Sequence, residues 1–411
     1  MTEPTFVIVG ASLAGAKAAE TLREEGFTGR IVLLGDDHRR PYERPPLSKD
    51  LLLGKTEAGV PYVHEAGWYA EHDVDLRVGT RVTHVDRERK TVRTAAGEEI
   101  GYHRLLLATG SRPRDLPVPG VELGNVLTLR TLDDSDRLAE ILTDGARLTI
   151  VGSGWIGLEI AAAARGRGVA VTVVTPESAP LQHVLGDELA AVFGSLHRKH
   201  GVDFRYRTHV AELRGDGDVT QVVLDDGTVL DTDYVLIAVG AEPNVELAEQ
   251  AGLAVDGGVL VDAQHRTSDA DVFAAGDIAN IDHPLLGHRV RVEHWANALQ
   301  SGPAAARAML DRGTPWDHLP YFFTDQYELG MEYAGWVPPG VPAELVVRGS
   351  LDALEAVVFW TVEGRVAAGM NINVWEVTDQ IQDLVRAGLA GQRIDLARLA
   401  DAAVELPELL K

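Results

Sequence analysis

The chain has 411 residues, enough for two or three domains at roughly 150 residues each, and its 45% hydrophobic, 24% charged and 6% aromatic content is that of a packed globular protein. Asp and Glu number 62 against 38 Lys and Arg, a formal charge of −24 without long single-sign runs, so neither nucleic acid nor an anionic membrane surface is expected as a partner. There is no cysteine, which excludes disulfides, thiolate metal sites, cysteine-ligated iron–sulfur clusters and redox-active dithiols.

The apolar run Phe6 to Val9 predicts a strand that begins too early to leave room for a signal peptide, and a cytoplasmic protein is expected. It runs into Gly10-Ala11-Ser12-Leu13-Ala14-Gly15, an alanine-rich helical pattern through Leu22 and a second strand, Ile31 to Leu34. Strand, glycine turn, helix, strand is a unit that binds dinucleotides. Gly10 permits the turn, the helix N-terminus meets a pyrophosphate, and Gly15 lets helix and strand pack closely. Ser12 stands where the middle glycine is usual, and Asp36 follows the second strand, where an acid accepts from an adenosine ribose. Farther on, Leu105 to Leu107 closes on Ala108-Thr109-Gly110-Ser111-Arg112-Pro113.

About 140 residues after the first unit, a second follows. Leu148 to Val151 leads into Gly152-Ser153-Gly154-Trp155-Ile156-Gly157, with all three glycines in place, then a helix over Leu158 to Arg165 and a strand over Val169 to Val174. Two complete units imply two dinucleotides. The next residues, Thr175-Pro176-Glu177-Ser178, lack the usual acid at Thr175 but offer Glu177, with no Arg or Lys before Leu181, so NADH is expected over NADPH. Val235 to Val239 closes on Gly240-Ala241-Glu242-Pro243-Asn244, which matches the earlier exit and reads as its paired crossing between domains. Val272 to Ala275 predicts a buried strand ending in Gly276-Asp277, with the carboxylate at the start of a helix as an N-cap or a ligand contact. Near the C-terminus, Glu344 to Arg348, Ala356 to Thr361 and Arg365 to Met370 alternate as strands, and Trp375 to Ala387 predicts a helix. No apolar run approaches the ~20 residues of a membrane span. The histidines, His197 and His200 among them, show no metal-binding spacing, and no metal is expected.

Together with Arg39-Arg40-Pro41-Tyr42-Glu43-Arg44-Pro45-Pro46-Leu47-Ser48-Lys49, Glu159, Glu293-His294-Trp295 and Phe322-Phe323-Thr324-Asp325-Gln326, these segments resemble the FAD- and NAD(P)H-binding reductases of the glutathione-reductase fold. Within them the likeness is to the ferredoxin reductase family, which includes putidaredoxin reductase, the reductases of aromatic dioxygenases and apoptosis-inducing factor. It covers essentially the whole chain. It implies an α/β fold with a Rossmann-like FAD domain (1–110 and 236–315), a Rossmann-like NAD(P)H domain (111–235) and a C-terminal α+β domain (316–411).

The resemblance places FAD on Gly10, Ser12, Leu13, Ala14, Gly15, Asp36, Arg44, Pro45, Lys49, Val82, Ala108, Thr109, Gly110, Gly276 and Asp277, with Arg130 and Arg112 as lesser contacts. Asp277 would hold the ribitol, and Glu293, His294, Trp295 and Phe323 would lie near the flavin ring. The nicotinamide cofactor would contact Gly152, Gly154, Trp155, Ile156, Gly157, Glu159, Thr175, Glu177 and Gly240. By the same likeness, Lys49 and Glu159 are the catalytic pair and face each other beside flavin N5. The lysine would stabilise negative charge on the reduced ring while the glutamate turns toward the nicotinamide. Phe323 stands where the family commonly has tryptophan.

Disulfide reductases on this fold need a cysteine pair beside the flavin. Without thiols, electrons that enter as hydride leave directly from the flavin, which favours a one-electron acceptor. The expected partner is an acidic ferredoxin that feeds a cytochrome monooxygenase or an aromatic-ring dioxygenase. One alternative is a redox-sensing protein like apoptosis-inducing factor. Another is a type II NADH:quinone reductase, whose membrane-binding C-terminus the acidic tail with Asp395, Asp401, Glu405 and Glu408 does not resemble. An acidic partner needs a locally basic approach, for which Arg289, Arg291, Arg307 and Arg312 are the expected residues.

Overall fold

Phe6, Val7, Ile8 and Val9 are all buried, as in a strand covered on both faces. In the computed structural model, which describes residues 3–55, 59–338 and 340–411, this strand is the centre of a five-stranded parallel sheet. The order is Val272–Ala274, Arg104–Leu107, Thr5–Val9, Arg30–Leu34 and Val74–Arg77. The alanine face of the helix Leu13–Glu24 packs against the helix Trp295–Met309.

The second unit repeats this design. Asp203–Tyr206, Ala170–Thr175, Arg147–Val151, Tyr234–Ile237 and Val126–Leu127 form another all-parallel sheet, with the helix Trp155–Gly166 following the central strand. Because Tyr234–Ile237 pairs inside this sheet, the border expected between 235 and 236 cuts a strand. The two predicted crossings do pair with each other. Ser111–Pro113 lies antiparallel to Ala241–Pro243, and Asn244 is hydrogen-bonded to both Thr109 and Gly110.

The C-terminal region is a five-stranded antiparallel sheet in the order Tyr321–Gln326, Leu329–Gly335, Arg365–Ile372, Glu355–Val362, Glu344–Ser350, covered by the helix Thr378–Leu389. The helix starts three residues later than its pattern suggests because Asn373 and Glu376 adopt left-handed backbone angles, φ 51° and 65°. A second difference concerns Asp277. It lies in a single 3₁₀ turn, Gly276–Ile278, that leads into the strand Ala279–His283, and its side chain caps no helix. Among the described residues, no helix is long and apolar enough to cross a membrane.

Candidate active site

Two clefts lie on either side of the Gly10–Leu13 turn. One of about 730 Å³ runs over Gly10, Asp36, Val82 and Thr109; the other, about 210 Å³, reaches from Leu13, Arg44 and Pro45 to Lys49, Glu159 and Trp295. Trp155 and Ile156 of the second unit line the smaller cleft, so both units open onto it. Gly10 has φ +120°, and a Cβ there would fall 2.0 Å from the Ala108 carbonyl oxygen, so only glycine fits. In the second turn a Cβ on Gly154 would meet nothing within 4 Å, leaving backbone accessible to a ligand.

The smaller cleft gathers positive charge at the helix N-terminus. Arg44 donates to the Ser12 hydroxyl, and its Nε donates to the Arg130 carbonyl at 3.3 Å. Ser12, which stands where the motif usually has its middle glycine, is thus the anchor for Arg44. Burial and the neighbouring Arg130 push the Arg44 pKa down to about 10. Arg130 meets Asp277 Oδ2 at 2.8 Å, and Ser111 donates to the same oxygen at 2.6 Å. Burial pushes the Asp277 carboxyl up, but Arg130, Ser111 and Arg44 outweigh it and hold the pKa below its ordinary value. Arg130 Nε has no partner among the described residues, and Ser12 makes no side-chain cap to the helix it precedes. Two mutually repelling guanidiniums, an unpaired N–H and an uncapped helix N-terminus together fit the diphosphate of FAD.

At the other end of this cleft, Lys49 Nζ lies 3.1 Å from Glu159 Oε1 and 4.7 Å from the centre of the Phe323 ring. Ser48 donates to Glu159 Oε2 at 2.5 Å and Thr324 donates to Oε1 at 2.6 Å. Trp295 packs edge-on to Phe323, and His294 stacks obliquely on Phe322. Burial pushes the His294 pKa down to about 4, so the imidazole is neutral at pH 7. Glu293, in contrast, is held by Arg291.

Not every expected contact faces a cleft. Thr175 is 1% exposed and shares a hydrogen bond with Ser153 inside the second unit, so it does not face a ribose. The side chain available there is Glu177, whose carbonyl accepts from the backbone N–H of exposed Arg207. The sequence gives no sign of this neighbour because it arrives from the next strand. Gly240 lies in the crossing, where its carbonyl accepts from Arg114. Arg112, by contrast, lines the larger cleft and is tied there to Glu242 and Glu246 at 2.6 and 2.5 Å.

Residues 4–302 match the model of the family described as pyridine nucleotide-disulphide oxidoreductase, and residues 321–410 match the reductase C-terminal model. The chain belongs to the pyridine nucleotide-disulphide oxidoreductase family. Among its relatives, the ferredoxin–NAD(+) reductase component of the anthranilate 1,2-dioxygenase system of Burkholderia cepacia is 37% identical, with all of both chains covered. Putidaredoxin reductase of Pseudomonas putida is 36% identical over 98% of this chain and 96% of that protein. The solved covalent complex of putidaredoxin reductase with putidaredoxin superposes with a TM-score of 0.93 at 35% identity, covering 100% of this chain and 99% of that one.

The four arginines expected to form a basic approach are bound to three separate sets of acceptors. Arg289 is spent on the carbonyls of Val261 and Asn280, and Arg291 on Asp277 and Glu293. Arg307 and Arg312 both reach Glu25. Arg307 also lies twelve residues beyond Trp295 in one helix, about 18 Å along its axis from the cleft. Proximity in sequence put these four together; their acceptors divide them.

Proposed function

We propose that the protein is an FAD-dependent NADH:ferredoxin reductase serving an oxygenase, the activity named for its relatives. The observation that carries this is the Lys49–Glu159 pair in a cleft lined by both dinucleotide units, in a chain without cysteine. Bound FAD supplies a two-electron acceptor that releases electrons one at a time. Around it the chain's own groups have separate roles. Arg44, Arg130 and the first helix hold the diphosphate, and Asp277 accepts from a ribitol hydroxyl. Lys49 presents positive charge beside the ring, and Ser48 and Thr324 fix both oxygens of Glu159, which guides the nicotinamide. Trp295, Phe323 and neutral His294 exclude water. We assign the FAD unit to 1–110 and 241–315 and the NADH unit to 111–240, with the border at the paired crossings, and 316–411 to the C-terminal unit. We place the reductase in the cytoplasm, where NADH is regenerated. The test is NADH-dependent reduction of a ferredoxin, followed with cytochrome c as final acceptor; no turnover with any ferredoxin contradicts the reading.

The nucleotide preference rests on Glu177, whose carboxylate lies 3.5 Å from His183 Nε2 and repels a 2′-phosphate. Glu177→Gln is expected to raise the NADPH-to-NADH ratio of kcat/KM by about 10-fold, roughly 1.4 kcal/mol, because it removes the repulsion. An unchanged ratio places the ribose elsewhere.

A further inference from the structure

A second line of hydrogen bonds leads from Glu159 into the core, starting at the same carboxylate oxygen that meets Lys49. Thr324 donates to Glu159 Oε1 at 2.6 Å, Gln326 Nε2 donates to Thr324 Oγ1 at 3.2 Å, and Gln326 Oε1 lies 2.8 Å from His197 Nε2. All four side chains are buried: Glu159 is 7% exposed, Thr324 and Gln326 1%, His197 0%. They come from three elements, the helices Trp155–Gly166 and Asp187–Lys199 and the strand Tyr321–Gln326.

The chemistry of the groups sets one direction along this line. An amide oxygen only accepts, so His197 carries its proton on Nε2. The Gln326 amide then donates onward, and Thr324, having accepted, donates to the carboxylate. Every donor points toward Glu159, and bonds so aligned polarise one another. Burial pushes the His197 pKa down to about 4, so at pH 7 it is a neutral donor. Its Nδ1 is buried without a partner among the described residues, and its ring meets Tyr327 and Phe204. An amide and an imidazole are costly in a core that apolar side chains could fill. Neither Gln326 nor His197 lines the cleft, so any effect they have on it passes through Thr324.

We propose that Thr324, Gln326 and His197 are positioning residues for Glu159. They fix which carboxylate oxygen meets Lys49, and they make that geometry depend on how the helix Asp187–Lys199 seats on the C-terminal sheet. The inference rests on the reading of Glu159 as the residue that guides the nicotinamide, and the variants separate the two.

The experiment is stopped-flow reduction of the FAD-loaded protein by NADH in Glu159→Gln, Thr324→Val, Thr324→Ser, His197→Leu and His197→Gln. Thr324→Val is expected to lower the limiting rate roughly 10-fold, the worth of one hydrogen bond to a charged group, and His197→Leu, which removes a bond between neutral groups, roughly 3-fold, with NADH affinity nearly unchanged in both. Thr324→Ser keeps the hydroxyl and His197→Gln keeps an N–H donor, so both recover most of the rate. A readout free of turnover comes from ¹⁵N NMR of histidine-labelled oxidised protein without NADH. It should show His197 as the neutral Nε2–H tautomer between about pH 5 and 8, with its signal displaced in Thr324→Val. Wild-type rates in Thr324→Val and His197→Leu alongside a slow Glu159→Gln overturn the positioning role, as does a serine variant no better than valine. A wild-type rate in Glu159→Gln overturns the reading of Glu159 itself. If Thr324→Val does not fold, the two His197 variants decide.

Discussion

Asp277→Ala is expected to destabilise the FAD-free protein by about 3 kcal/mol, the low end for breaking a buried ion pair because the Arg130 side chain keeps 22% exposure. Asp277 is 8% exposed and faces both Arg130 and Arg44, so its loss leaves two guanidiniums repelling each other and the Ser111 hydroxyl without its acceptor. Thermal unfolding of the FAD-free protein measures this, and Asp277→Asn, which keeps the shape without the charge, should fall nearly as far. The folded-state pKa of Asp277 is depressed, so its contribution is fully present above its ordinary value near pH 4 and is lost as pH falls through the lower folded value. The variant therefore loses stability at neutral pH but lacks that acid-side decline. Equal stability of variant and wild type would show that the cleft's charge is balanced elsewhere.

Glu159→Ala is expected to slow reduction by NADH about 100-fold, roughly 2.7 kcal/mol in the barrier, with little change in FAD retention. It leaves Lys49, whose side chain is 13% exposed, without its partner, and it takes the acceptor from Ser48 and Thr324. Stopped-flow absorbance resolves the step. An unchanged rate would return Glu159 to a purely structural role.

The two dinucleotide units are legible in the sequence because their cause is local: glycines at fixed spacing, each between an apolar strand and a helix. The Lys49–Glu159 pair is legible only through resemblance, since nothing near either residue in sequence points to the other. Thr175 shows where spacing fails. It pairs with Tyr206 at the end of a strand, and side-chain alternation there turns it inward toward Ser153. Arg207 escapes notice for the complementary reason, because its backbone N–H reaches the Glu177 carbonyl from just past the end of the neighbouring strand Asp203–Tyr206. The four arginines of the expected basic approach are divided for the same reason: Arg307 and Arg312 share Glu25, which caps the end of the first helix far back in the chain. Ser12 is the instructive case: a departure from a motif that reads as weakness in sequence is, in three dimensions, the anchor for Arg44.

Electrons entering as hydride from NADH should leave singly to an iron–sulfur protein. Anaerobic mixing of limiting NADH with catalytic FAD-loaded protein and excess oxidised ferredoxin, drawn from a panel that includes putidaredoxin, tests this most directly. Two ferredoxins are expected to be reduced for each NADH, as electron balance requires, and none when FAD is omitted. Flavin that bleaches with NADH and stays bleached in the presence of every oxidised ferredoxin of the panel would contradict it.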